Sequence, residues 1–118
     1  MLDQDEIAHV PLFTVPGMLT ASKRTSWRNY IMAIAEATAN VFTDEKFTNT
    51  NLKKRFASNP GKFIVAVGDL TPEGFRFARA GRFDKWLGNA DRWTTECTLQ
   101  KLETALRQQI RKFRNSTS

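Results

Sequence analysis

A chain of 118 residues, 41% hydrophobic and 25% charged, has the size and composition of one folded domain that needs neither disulfides nor metal. Its fully apolar runs, Phe63–Val67 among them, are far too short to span a bilayer, and the lone Cys97 excludes an internal disulfide. The net charge of +6 is uneven: residues 1–22 carry Asp3, Asp5 and Glu6 with no Lys or Arg, so all 18 basic residues lie beyond them.

Against the nine acids of residues 23–118, those cations leave an excess of +9. Such an excess favours polyanion partners through phosphate contact and counterion release, although it also solubilises a small domain. The acidic start lacks the basic-then-apolar order of a secretory signal, and a lone thiol suits a reducing compartment. Cytoplasmic residence is therefore the expectation, with no membrane partner.

Residues 1–22 hold Pro11, Pro16 and Gly17 among scattered apolar groups. Two prolines five apart argue against a regular helix. The expectation is an extended N-terminal arm, with a short strand around Ile7–Val10, laid across one globular domain at 23–114. Residues 115–118 form a frayed tail.

The segment TSWRNYIMAIAEATANVF predicts the first long helix, capped by Thr25 or Ser26. Trp27, Ile31, Ile34, Ala35, Thr38, Val41 and Phe42 recur at threes and fours and define its buried stripe. TDEKFTNTNLKKRFASNPGKF follows as one or two short helices, stopped by Asn59-Pro60-Gly61, with Phe47, Leu52 and Phe56 inward. FIVAV is a short buried strand by its β-branched content.

The next stretch, GDLTPEGFRFARAGRF, has two readings. Thr71, Pro72 and Glu73 are a helix start: a capping hydroxyl, a proline at the first position and a first-turn carboxylate. Alternating aromatics in FRFARA instead fit the return strand of a hairpin. On a helical wheel Phe75, Ala80, Phe83, Trp86, Leu87 and Ala90 share a face, which favours a helix, broken near Gly81, although Arg76 and Arg79 fall within the same arc. Gly74, Gly81 and Gly88, seven apart, line another side and leave room for a neighbouring backbone. The last helix, TLQKLETALRQQIRKFRN, gathers Leu99, Leu102, Leu106, Ile110 and Phe113 in a narrow seam. That seam suits the domain core or a second copy of the chain.

Catalytic and metal-binding constellations are scarce. His9 is the only histidine, no Cys/His spacing suits zinc, and glycine-rich phosphate loops are missing. Asp84 and Asp91 are the nearest approach to a carboxylate pair. A non-enzymatic protein without cofactors is the expectation.

The phrase DLTPEG at 69–74 resembles the LTPEG with which winged-helix regulators leave their β-wing and enter the next helix. The elements in chain order make a single domain, mainly α with a small β element (an α+β class) and a C-terminal amphipathic helix, and the resemblance implies that it is winged-helix-like. It also implies that TNTNLKKRFASN is the recognition segment, presenting Asn49, Asn51, Lys53, Lys54 and Arg55 to DNA. One strand precedes the phrase where a wing has two.

Independently of that resemblance, Arg76, Arg79 and Arg82 recur every third residue among aromatics, and guanidinium groups so placed hold phosphates. Arg107, Arg111 and Arg114 add a third basic cluster. Together these predict a small nucleic-acid-binding protein, a regulator or accessory factor, with DNA favoured over RNA. A dimeric form would double the basic surface. The competing expectation is a protein-interaction module, such as an accessory subunit or a phage-type inhibitor docking on a host complex. Trp86, Trp93, Leu99 and Leu106 would then form its interface.

Overall fold

A computed structural model of the chain describes residues 10–21, 27–90 and 98–116. It is mostly helical, with one small antiparallel sheet, as the sequence predicts. In chain order the elements are β1 (Pro11–Thr14), α1 (Val15–Ala21), α2 (Trp27–Asp44), α3 (Leu52–Ser58), β2 (Ile64–Ala66), α4 (Pro72–Arg79), α5 (Arg82–Ala90) and α6 (Leu99–Ser116). Single 3₁₀ turns at Pro60–Lys62 and Val67–Asp69 flank β2.

The helix α2 forms the centre. Ile31, Ile34, Ala35, Ala37, Thr38, Ala39, Val41 and Phe42 are all buried, so its middle is enclosed on most sides. Its alanines admit close neighbours, and α1, α3 and α6 all pack on it. Thr38 is tolerated inside because its hydroxyl donates back to Ile34 O at 2.9 Å. Trp27 opens the helix as expected, but its side chain lies outside the described residues.

The end of α2 is a left-handed turn. Lys46 has φ 60°, Phe47 N–H donates to Phe42 O at 2.9 Å, and Lys46 N–H donates to Thr43 O at 3.2 Å. That crossed pair is the Schellman pattern, completed by the Phe42–Phe47 ring contact at 5.7 Å. Phe47 thus enters the core and places the loop that begins the site.

The N-terminal segment departs from expectation. Residues 11–21 are not an extended arm: β1 pairs with β2, and α1 follows at once. Pro16 sits at the second helical position, where its missing N–H would have had no partner, and Thr14 Oγ1 accepts from Gly17 N–H at 3.0 Å in its place as cap. Phe13 and Val15 are buried, so this segment belongs to the domain. Of the strand expected at Ile7–Val10 only Val10 is among the described residues, outside β1, and Asn115 and Ser116 of the expected tail belong to the last helix instead; residues 7–9, 117 and 118 lie outside the described residues.

The sheet register is Pro11↔Ala66, Phe13↔Val65 and Thr14↔Ile64, with a bulge between Pro11 and Phe13. Phe63 and Val65 are buried, whereas Ile64 faces outward at 42% exposure, so the strand is buried on one face only.

The segment after β2 is helical, not a hairpin strand. Thr71 caps α4 by accepting from Gly74 N–H at 3.2 Å, and Pro72 is its first residue. Gly81, at φ 79°, breaks the run and starts α5. Because of that break the inward residue of α4 is Phe77 rather than Phe75, which is only partly buried. Phe42, Phe47, Phe77, Phe83 and Phe113 form one aromatic cluster, with centroids between 5.2 and 6.1 Å apart for each ring pair in contact. Gly74 is the one helical glycine of the three that meets a backbone. A Cβ there would lie 2.3 Å from Phe47 O, whereas nothing lies within 4 Å of one at Gly81 or Gly88.

The seam of α6 packs on α2 and α5. Leu102, Leu106, Ile110 and Phe113 are buried in the chain's own core, and Trp86 Nε1 donates to Leu102 O at 3.1 Å. This corrects the expectation that Trp86 and Leu106 form a partner interface: neither is accessible. Leu99 is partly buried against the same core, and Trp93 lies outside the described residues.

Candidate nucleic-acid interface

The predicted recognition segment begins in a loop stitched to the start of α4. Asn49 N–H donates to Asp69 O at 2.8 Å, and Asn49 Nδ2 donates to Leu70 O at 3.2 Å. Asn51 caps α3 by accepting from Lys54 N–H at 3.1 Å. Both asparagines therefore serve local main-chain groups, the role Asn favours in turns and caps.

The cations of this segment divide. Lys53 pairs with Asp44 at the end of α2. Arg55 forms a two-pronged pair with Asp69, Nη1 to Oδ2 at 2.7 Å and Nη2 to Oδ1 at 3.2 Å. Arg55 Nη1 also donates to Ile64 O at 3.1 Å. The hydrogen bond to Asp69 raises the Arg55 pKa above its ordinary value, with burial opposing and the Asp69 charge assisting. Lys54 alone is exposed without an ion pair.

On α6, Arg107 and Arg114 are seven apart and face the end of α2. Arg107 reaches Asp44 at 3.2 Å and Glu103 at 3.7 Å. Arg114 bonds Glu45 at 2.8 Å, Glu73 at 2.6 Å and the Glu45 carbonyl at 3.1 Å, with its guanidinium 5.1 Å from the Phe47 ring centre. It thus ties the ends of α2 and α6 to the start of α4. Burial lowers its pKa, but its hydrogen bonds to Glu73 and Glu45 outweigh that and hold it above the ordinary value.

Lys53, Arg55, Arg107 and Arg114 together occupy Asp44, Glu45, Asp69, Glu73 and Glu103. Fifteen lysines and arginines and seven acids fall among the described residues. Removing the paired groups leaves eleven cations against Glu36 and Asp84. Apart from Lys54, the cationic excess is therefore carried by other side chains than those the recognition reading favours.

Several of these lie on α4, α5 and the outer side of α6. Arg76 and Arg79, three apart on α4, are exposed opposite buried Gly74 and Phe77. Arg82 is half-buried and Lys85 exposed on α5. Arg111 and Lys112 are exposed on α6. None of the six makes an ion pair among the described residues. Phe77 against Phe113, at 5.5 Å, and Trp86 against Leu102 make α4, α5 and α6 adjoining elements. Lys85 accompanies the Arg76, Arg79 and Arg82 series in the sequence, whereas Lys112 is missing from the sequence-derived set. The wheel position of Lys112, outside the Leu102–Phe113 seam, was the available signal.

No group of three or more potential metal ligands occurs among the described residues. Asp84 is exposed, while His9, Asp91 and Cys97 lie outside the described residues. No helix of the described residues is long and apolar enough to cross a membrane. In comparisons with known proteins, the chain matches no family model, no curated protein and no solved structure.

Proposed function

We propose that the protein binds nucleic acid, DNA in preference to RNA, by holding phosphates with Arg76, Arg79, Arg82 and Lys85 of α4–α5 and Arg111 and Lys112 of α6. The observation that supports this reading is the division of the cations. Four are engaged by acids within the fold, whereas these six have no acid partner among the described residues and sit on adjoining helices. Cations without internal partners can engage phosphates without first breaking an ion pair, and arginine's planar fork suits phosphate oxygens.

A winged-helix docking mode would place α3 against DNA. Arg55 and Lys53 would then have to abandon Asp69 and Asp44, which disfavours that face. Phosphate contacts position a protein on the duplex without selecting a sequence. The reading is accordingly a small, non-enzymatic binding factor in a reducing, cytoplasmic setting.

A titration of labelled duplex DNA at several salt concentrations tests it. The parent should bind with a steep salt dependence. Arg76→Ala, Arg79→Ala and Arg111→Ala combined should weaken binding and flatten the log–log salt slope by about 0.9 for each phosphate no longer neutralised. Lys53→Ala with Arg107→Ala should leave the slope unchanged. A parent without measurable affinity at low salt, or a slope indifferent to the triple substitution, rules the interface out.

A further inference from the structure

A two-stranded sheet has two free edges, and main-chain groups on a free edge are templates for another strand. On β2 the direction of each group is fixed by its bonds. Phe63 O accepts from Val15 N–H and Val67 N–H donates to Val10 O, both at 2.9 Å, and Val65 pairs with Phe13 between them. By the alternation of a strand, Ile64 and Ala66 turn their main-chain groups away from β1, onto the outer edge.

Two side chains meet them there. Arg55 Nη1 donates to Ile64 O at 3.1 Å, and Asp69 Oδ2 accepts from Ala66 N–H at 2.9 Å. The same two side chains join each other through both prongs. One donor to Ile64 O with one acceptor for Ala66 N–H is what a single residue of a parallel third strand would supply. The ion pair thus imitates a strand residue and ends the sheet.

We propose that the Arg55–Asp69 pair is an edge clasp, which closes β2 against strand addition by a second copy of this chain. The segment behind it gives the clasp a purpose. Residues 63–67, FIVAV, are uncharged and strand-forming, and Ile64 presents an exposed apolar side chain beside the closed edge. Edges of this composition are usually guarded by a charge. Here the guarding charges come from α3 and from the turn after β2, not from the strand itself.

The test is Arg55→Met, which keeps the apolar stem and removes the donor to Ile64 O. Circular dichroism establishes that the variant folds, and light scattering follows its mass over a concentration series. The variant should gain mass at least twofold over the parent as concentration rises, and adding Ile64→Lys, a charge on the edge, should restore the parent's mass. A folded Arg55→Met with the parent's mass at every concentration overturns the clasp. So does association that Ile64→Lys leaves intact. Should Arg55→Met not fold, Arg55→Lys takes its place: it retains the charge but cannot span both Ile64 O and Asp69, and the same outcomes decide.

Discussion

Asp69 has a side chain only 19% exposed, so its carboxylate has lost hydration that hydrogen bonds must replace. Both Arg55 prongs and Ala66 N–H supply them. Burial alone would push its pKa up. The Arg55 and Ala66 hydrogen bonds and the Arg55 charge outweigh burial and hold it below the usual carboxylate value. A carboxylate whose pKa is lower folded than unfolded stabilises the fold above its unfolded value, about 3.9, and loses that contribution as pH falls through the folded value. Denaturant unfolding of the parent should therefore weaken more steeply below about pH 4 than that of Asp69→Asn, which has no proton to take up. At neutral pH Asp69→Ala should cost about 1–3 kcal/mol, because it strips Ala66 N–H and Arg55 of their acceptor. Parallel pH profiles for parent and Asp69→Asn would show that the pair is not formed in solution.

Among the helices, α4 and α5 separate two roles that glycine fills. At Gly74 the helix must approach the Phe47 backbone, and an added Cβ would lie 2.3 Å from Phe47 O. Gly74→Ala should thus lose about 1–3 kcal/mol by overpacking, despite alanine's better helix propensity. Gly88 lies exposed on α5 with nothing within 4 Å of its absent Cβ, so Gly88→Ala should gain about 0.5–1 kcal/mol. Thermal unfolding of the two variants reads both signs, and a shift of the same sign in both would refute the packing assigned to α4. The sequence places all three glycines on one side of the helical pattern and does not show which of them meets another backbone; the Phe47 carbonyl beside Gly74 does. Elsewhere the same physics sets what is legible. The spacing of Ile31 through Phe42, and of Leu102 through Phe113, is local and marks α2 and α6 correctly. Thr71, Pro72 and Glu73 are a local start signal, and α4 begins there. Pro16 misleads, because a proline that breaks a helix interior is harmless at its second position. The pairing of the cations is not local at all. Arg107 meets Asp44 from 63 residues away and Arg114 meets Glu45 from 69, so a one-dimensional count of basic clusters cannot separate engaged arginines from free ones.

For the molecule as a whole, α2 and α6 join the two halves of the chain, and the acids at the end of α2 hold the α6 cations nearest them. Asn40 Nδ2 donates to Glu103 Oε1 at 2.8 Å, and Arg107 and Arg114 continue this polar border along the same side of the buried seam. An amphipathic helix this regular fits two architectures, a monomer core or a subunit interface, and burial separates them. Leu106 has 0% exposure within a single chain and lies among residues of the same core. Leu106→Asp would remove a side chain worth about 2–5 kcal/mol and bury a carboxylate with no partner, which costs several kcal/mol more. Domains of this kind have about 5–15 kcal/mol of stability in total. The expected outcome is loss of the cooperative unfolding transition and of most helical circular dichroism, at every protein concentration. Were the seam a subunit interface instead, the variant would keep its helical signal and its sigmoidal melt, and only its mass by light scattering would fall. That second pattern would move α6 from the core of one chain to the junction of two, and would reopen the pairing of two cationic faces across a two-fold axis.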